Sequence, residues 1–173
     1  MNADPIDRLV REHRIVEGIL DQVEAALTGG GATPPEAETI AAVRHHIGRL
    51  WPEFYHHSLQ REEQMLFPLL ASLAPPGQGP VAVMRQEHRL MAVGFRTILA
   101  PDSSTADVVR SALVLCQVLR AHIQKEDGVL FPMAAQRLTP GQLETIGDRF
   151  TEYDDASPPA PSADTWLAND HGP

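Results

Sequence analysis

One cysteine in 173 residues rules out an internal disulfide and a thiolate metal cage, and Cys116 reads as a small core residue. Positive charge is also scarce: 14 Lys and Arg against 23 Asp and Glu give a net charge of −9 and a pI near 5.3. A surface of that sign does not suit nucleic acid or anionic lipid, because phosphate recognition needs clustered Lys and Arg. Long apolar runs are missing as well. The longest, around Ala112 to Cys116, is far short of a membrane span, and the N-terminus lacks a basic segment followed by an apolar one. These absences lead us to expect a cytoplasmic protein with neither nucleic acid nor membrane as partner, and with chain enough for one hydrophobic core.

What is present is an internal repeat. The tripeptide Glu-His-Arg occurs at 12–14 and at 87–89, and Leu-Phe-Pro occurs at 66–68 and at 130–132. Ahead of each Leu-Phe-Pro stands a His and a Glu: His57 and Glu62 in the first copy, His122 and Glu126 in the second. Duplication of a helical hairpin explains the pattern economically.

Apolar spacing of three and four residues predicts four helices in an all-α, up-down-up-down bundle. The first runs from about Pro5 to Leu27, with Asp4 as N-cap, Pro5 at the first helical position and Gly29 to Gly31 as the stop. After a GGGATPP loop the second extends from about Glu36 to Ser72, ending at an APPGQGP turn. The third covers about Val81 to Leu99 and the fourth about Thr105 to Arg137. Thr139-Pro140 opens a short fifth helix to about Phe150. The bundle domain is placed at 1–152, and 153–173, rich in Pro, Ala and Asp, reads as a disordered tail with Trp166 in solvent.

Polar residues interrupt each apolar seam at one depth. His13 lies on the seam of the first helix, His88 on that of the third, and His122 with Glu126 on that of the fourth. His13 and His88 lie roughly 12 Å into their helices, and Glu62 and Glu126 lie roughly 15 Å before the ends of theirs. In an antiparallel bundle these depths share one layer. Two buried carboxylates among four imidazoles, with no inward Lys or Arg expected, call for a compensating cation. The expected ligands are therefore His13, His57, Glu62, His88, His122 and Glu126.

The second helix has an irregular register. Ile40, Val43, Ile47, Leu50, Phe54 and His57 keep helical phase, which then resumes one residue late at Glu62, Leu66 and Leu69. One extra residue predicts a π-type turn between about Trp51 and Glu62, with the equivalent stretch of the fourth helix a regular α-helix. Pro52 removes one hydrogen bond in the same region. His56 competes with His57 but fits the phase less well. Glu63 and Asp127, which follow the two glutamates, are expected to face outward, with Asp127 an alternative to Glu126. Glu17 leans off the seam, and His45 and His46 are expected in solvent.

This arrangement, with its His-x-x-x-Glu in the fourth helix and its Glu-x-x-x-Leu-Phe-Pro motifs, resembles the hemerythrin-like HHE cation-binding domain family over roughly residues 5–150. The resemblance implies two iron ions in an oxo- or hydroxo-bridged non-haem diiron centre. His13 and His57 would serve one iron, His88 and His122 the other, and Glu62 and Glu126 would bridge; zinc and manganese accept the same donors. The family usually spaces the second-helix pair as His-x-x-x-Glu, whereas here Arg61 stands four residues after His57. Oxygen-carrying hemerythrins have a further His one turn after the third-helix ligand, where this chain has Ala92. One protein ligand fewer implies room for a small diatomic or peroxide ligand. Tyr55, beside the irregular turn, is the candidate catalytic group, with a packing tyrosine as its alternative. Two functions fit: a diiron oxidoreductase consuming peroxide or nitric oxide, or a non-catalytic sensor or binder of oxygen, nitric oxide or iron.

Overall fold

The structure is a computed structural model, which describes residues 4–29, 36–73 and 79–169. Most of the GGGATPP loop, most of the APPGQGP turn and the last four residues of the tail lie outside the described residues. Helix α1, Pro5–Gly29, starts as its sequence predicts. Asp4 Oδ1 accepts the Ile6 N–H at 2.8 Å, satisfying one of the free donors of the first turn. Helix α2 covers 37–71 in three continuous pieces: α-helical Ala37–Phe54, π-helical Tyr55–Leu66 and α-helical Phe67–Ala71. Helix α3, Pro80–Leu99, is entered through Gly79, whose φ of 85° is strained for any residue with a Cβ. Helix α4 covers 105–137 as Thr105–Lys125, a π turn at Glu126–Leu130, and Phe131–Arg137. Its N-cap is Ser104, which accepts the Asp107 N–H at 3.1 Å.

The π turn in α2 agrees with its irregular register, but α4 departs from expectation. Its regular α-helix continues only to Lys125, and a π turn follows at once. The cause is the proline of each Leu-Phe-Pro. Pro68 and Pro132 have no N–H, and their rings crowd the carbonyl four residues back, so the chain widens to a five-residue turn there. Phe67 N–H bonds the Glu62 carbonyl, and Phe131 N–H bonds that of Glu126. The Gln64 carbonyl, which Pro68 leaves without its usual α-helical partner, accepts from Arg149 Nη2 at 3.1 Å. In α2 the π region reaches further back, to Tyr55, and absorbs the extra residue.

Helices α1 and α2 pack as one pair and α3 and α4 as the other, with α1 on α4 and α2 on α3 closing the bundle. The apolar core falls into two parts. Val16, Leu20, Ile47, Phe54, Phe95 and Leu115 belong to one, and Leu9, Leu66, Phe67, Met84, Phe131 and Phe150 to the other. In every helix the buried polar residues fall where one part gives way to the other, so a polar layer divides the core. Cys116 is buried in the first part, as its reading as a core residue expects. No described helix is long and apolar enough to cross a membrane.

The C-terminal segment corrects the expected disorder over 153–169. Helix α5, Pro140–Ala156, has a full capping box between Thr139 and Gln142 and runs past Phe150. Tyr153 packs on the second core cluster, which keeps that last turn helical. Helix α6, Ala163–Asn169, follows, and Trp166 and Leu167 pack against the first core cluster rather than standing in solvent. Trp51 Nε1–H donates to the Pro161 carbonyl at 2.6 Å, pinning the connecting segment. Composition missed this because few apolar residues suffice to dock a segment on a core that already exists. Replacing Trp166 by Ala is expected to lower unfolding free energy by about 1–3 kcal/mol, since a half-buried aromatic leaves a partial cavity. Urea unfolding measures this, and a loss below about 0.5 kcal/mol would mean that the segment is not docked.

Candidate metal centre

Six side chains meet in the polar layer: His13 from α1, His57 and Glu62 from α2, His88 from α3, and His122 and Glu126 from α4, all buried. They form two quartets, His13, His57, Glu62, Glu126 and Glu62, His88, His122, Glu126, each with one donor atom per residue within 4.8 Å of the others. Both glutamates belong to both quartets. Glu62 places Oε1 3.4 Å from His57 Nε2 and Oε2 3.5 Å from His88 Nε2. Glu126 places Oε1 3.2 Å from His122 Nε2 and Oε2 3.3 Å from His13 Nε2. Each carboxylate thus offers one oxygen to either side, as a bridge between two cations requires.

The other ring nitrogens are held by a ring of four carboxylates. Nδ1–H of His57 donates to Glu12 at 2.8 Å, His88 to Glu63 at 2.7 Å, His122 to Glu87 at 2.8 Å and His13 to Asp127 at 2.7 Å. A carboxylate only accepts, so each Nδ1 carries a proton, and each ring in its neutral form turns the Nε2 lone pair inward. Glu12 is itself paired with Arg8 at 2.9 Å, Glu87 with Lys125, and Asp127 with Arg14. The expected outward orientation of Glu63 and Asp127 is therefore corrected. Each lies next to a seam position, and in both cases a histidine of the neighbouring helix is within reach. The glutamates of the two Glu-His-Arg copies, Glu12 and Glu87, are the functional residues sequence reasoning missed, although their repetition was the available signal.

The Leu-Phe-Pro phenylalanines lie against the histidines. Phe131 stacks on His13 with centroids 5.3 Å apart, and Phe67 stacks on His88 at 5.7 Å. These apolar plates fix the imidazole planes. Through the π turns that precede them, each phenylalanine N–H bonds the carbonyl of the shared glutamate of its own helix.

Do these residues fit a cation? All four oxygens of Glu62 and Glu126 are buried without a hydrogen-bond partner among the described residues. His57 Nε2 and His13 Nε2 lie 3.0 Å apart, as do His88 Nε2 and His122 Nε2. Lone pairs facing one another at that distance repel unless a positive charge lies between or beside them. The donor set fits: two buried His and Glu clusters sharing both carboxylates are suited to a dinuclear metal site.

Electrostatics without metal point the same way. Burial opposes protonation of His57, but Glu62 beside it and the hydrogen bond to Glu12 outweigh burial and raise it to about 10. His122 rises against burial to about 9 through Glu126 and Glu87. Burial and Glu126 push Glu62 up, yet His57 and His88 hold it below its ordinary value. Burial likewise opposes ionisation of Glu12, which its His57 hydrogen bond nonetheless holds at about 2. Protons stand in for cations here.

The remaining candidates fall outside the quartets. His56 is half-buried and shares a hydrogen bond of 2.6 Å between its Nδ1 and the Tyr153 hydroxyl, so His57 holds the register. Tyr55 packs its ring on Trp51 and His56, and burial raises its pKa. Among the described residues no hydrogen bond joins it to the six. Arg61 departs from the expectation of no buried cation, being 8% exposed. Its guanidinium turns away from the quartets to Asp154 at 2.5 Å and Glu12 at 3.5 Å. Ala92 is fully buried one turn after His88.

The family model of the Hemerythrin HHE cation binding domain matches residues 4–134, and the chain belongs to that family. Comparison with curated proteins and with solved structures found no significant match.

The raised imidazoles set a pH dependence for the metal-free protein. Their folded pKa values of about 10 for His57 and about 9 for His122 exceed the unfolded value of roughly 6.5. Their contribution to stability is complete below about 6.5 and is lost as pH rises through about 9 to 10. In chelator, Tm is expected to fall between pH 7 and pH 10 and to fall less when metal is bound. A flat metal-free profile over that range would show that these imidazoles stay neutral in the folded state.

Proposed function

We propose that this chain is a non-haem diiron protein that reacts with peroxide, nitric oxide or dioxygen, with His13 and His57 serving one iron, His88 and His122 the other, and Glu62 and Glu126 bridging them. The observation that carries the reading is the pair of buried glutamates, unpartnered within the described protein and each dividing its oxygens between two histidine pairs. Iron in such a site supplies Lewis acidity and one-electron exchange with a small oxidant.

The chain's own residues supply orientation and exclusion. The Nδ1–H bonds to Glu12, Glu63, Glu87 and Asp127 fix each imidazole in the tautomer that presents Nε2, and their charge makes that nitrogen a stronger donor. Phe67 and Phe131 hold two ring planes, and the two apolar clusters keep bulk water from the layer. Ala92 supports an open position: where oxygen carriers of this family have another imidazole, this chain has a methyl group, so one protein ligand fewer competes with an incoming molecule beside His88 and His122. Sensing or binding without turnover would use the same ligands. Product formation in the presence of an electron donor, measured with peroxide and with nitric oxide, separates the two.

Reconstitution with ferrous iron is expected to give about two metal ions per chain, and a stoichiometry well below one would overturn the reading. Glu62→Ala or Glu126→Ala is expected to lose most of the metal, because each serves both ions. Glu63→Ala, which removes the acceptor of His88 Nδ1–H, is expected to weaken binding roughly 10- to 100-fold. Elemental analysis after dialysis against graded chelator distinguishes these outcomes. An ultraviolet oxo-to-iron band separates iron from zinc.

A further inference from the structure

The two halves of the bundle repeat each other around the polar layer, and next to that layer lies a small cavity of about 10 Å3. Its walls include residues that correspond between the halves when the two histidines are superposed: Phe54 with Leu119, His57 with His122, and Ser58 with Ile123. The first two pairs are alike in character. The third is not, because one half offers a hydroxyl where the other offers a hydrocarbon.

Ser58 is 3% exposed, and its hydroxyl makes no hydrogen bond among the described residues. It is also the wall's one free donor. The imidazole Nδ1–H groups are committed to their carboxylates, and the rest of the wall is hydrocarbon or aromatic ring. A cavity of this size holds about one water molecule or one heavy atom of a small ligand. Ser58 owes its position to the π region of α2, immediately after His57 in the segment with the extra residue. A hydroxyl in a cavity wall with no hydrogen bond to the described protein is available to an acceptor atom in that cavity.

We propose that Ser58 is the ligand-discriminating residue of the centre: its Oγ–H donates a hydrogen bond to the atom of a small exogenous ligand lodged in this cavity. Ile123, the counterpart of Ser58 in the other half, adds only hydrocarbon to the wall. The pocket favours a ligand whose one atom in the cavity accepts a hydrogen bond, as an outer oxygen of nitric oxide or peroxide does. The inference rests on the diiron reading above and assigns a side chain to ligand selection, a role the metal donors do not have.

The test has two arms. In the first, wild type, Ser58→Ala and Ser58→Thr are reconstituted with ferrous iron, their iron content is measured, and nitric oxide is titrated anaerobically. With about two irons retained in each, Ser58→Ala is expected to bind nitric oxide roughly tenfold more weakly, and Ser58→Thr to restore binding. The N–O stretching frequency is expected to shift in heavy water for wild type and not for Ser58→Ala. Nitric oxide affinity within twofold of wild type, an unchanged isotope response, or loss of iron from Ser58→Ala would each overturn the role. Failure of wild type itself to hold iron would instead overturn the diiron reading. The second arm needs no metal: a crystal structure of the metal-free protein is expected to show a water on Ser58 Oγ in wild type and none in Ser58→Ala. An empty cavity in wild type would overturn the proposal whatever the iron measurement gave.

Discussion

Two carboxylates buried in the middle of an apolar bundle, with no hydrogen-bond donor among the described residues for any of their four oxygens, are the constraint from which the rest of this structure follows. Glutamates in a core are expensive unless positive charge reaches them. The protein keeps Arg61, the buried cation closest to them in sequence, turned away toward Glu12 and Asp154. Four imidazoles surround the pair instead, and imidazole is the side chain that can give up a proton to admit a metal. The layer is costly on its own and favourable once cations enter, so stability and function are coupled at the same atoms.

Holding four imidazoles in one orientation explains features that otherwise look unrelated. Each Glu-His-Arg places its glutamate against the histidine of the following helix, and each acid after a bridging glutamate reaches the next helix round. Each Leu-Phe-Pro supplies a phenylalanine that plates a histidine and a proline that widens the helix directly before it. The cations behind the ring, Arg8, Arg14 and Lys125, tie the same acids to the surface.

Much of this could be read from residues alone, because three- and four-residue periodicity and a repeated motif are local in the chain. The six quartet members, the phase slip of α2 and the choice of His57 over His56 all came from register. What register could not reach was distance across the bundle. Glu63 and Asp127 sit one step off the seam and look solvent-facing from within their own helices, yet a neighbouring helix brings a histidine to each. The π turn at Glu126–Leu130 leaves no missing or extra residue in the seam, so phase gave no sign of it, although Pro132 did. Helix α6 is legible only from the surface it covers, through Trp51 and the first core cluster.

The ring of acids runs in one direction: α1 holds the histidine of α2, α2 that of α3, α3 that of α4, and α4 that of α1. A single hairpin cut from this bundle would satisfy only the contact between its own two helices. Its first histidine would lack an acid, and the acid after its bridging glutamate would lack a histidine. Two identical hairpins packed about a twofold axis would close all four contacts. The sequence repeat and the direction of the ring therefore describe one geometry: a symmetric dimer of half-length chains, here joined through a connection and free to let its halves diverge.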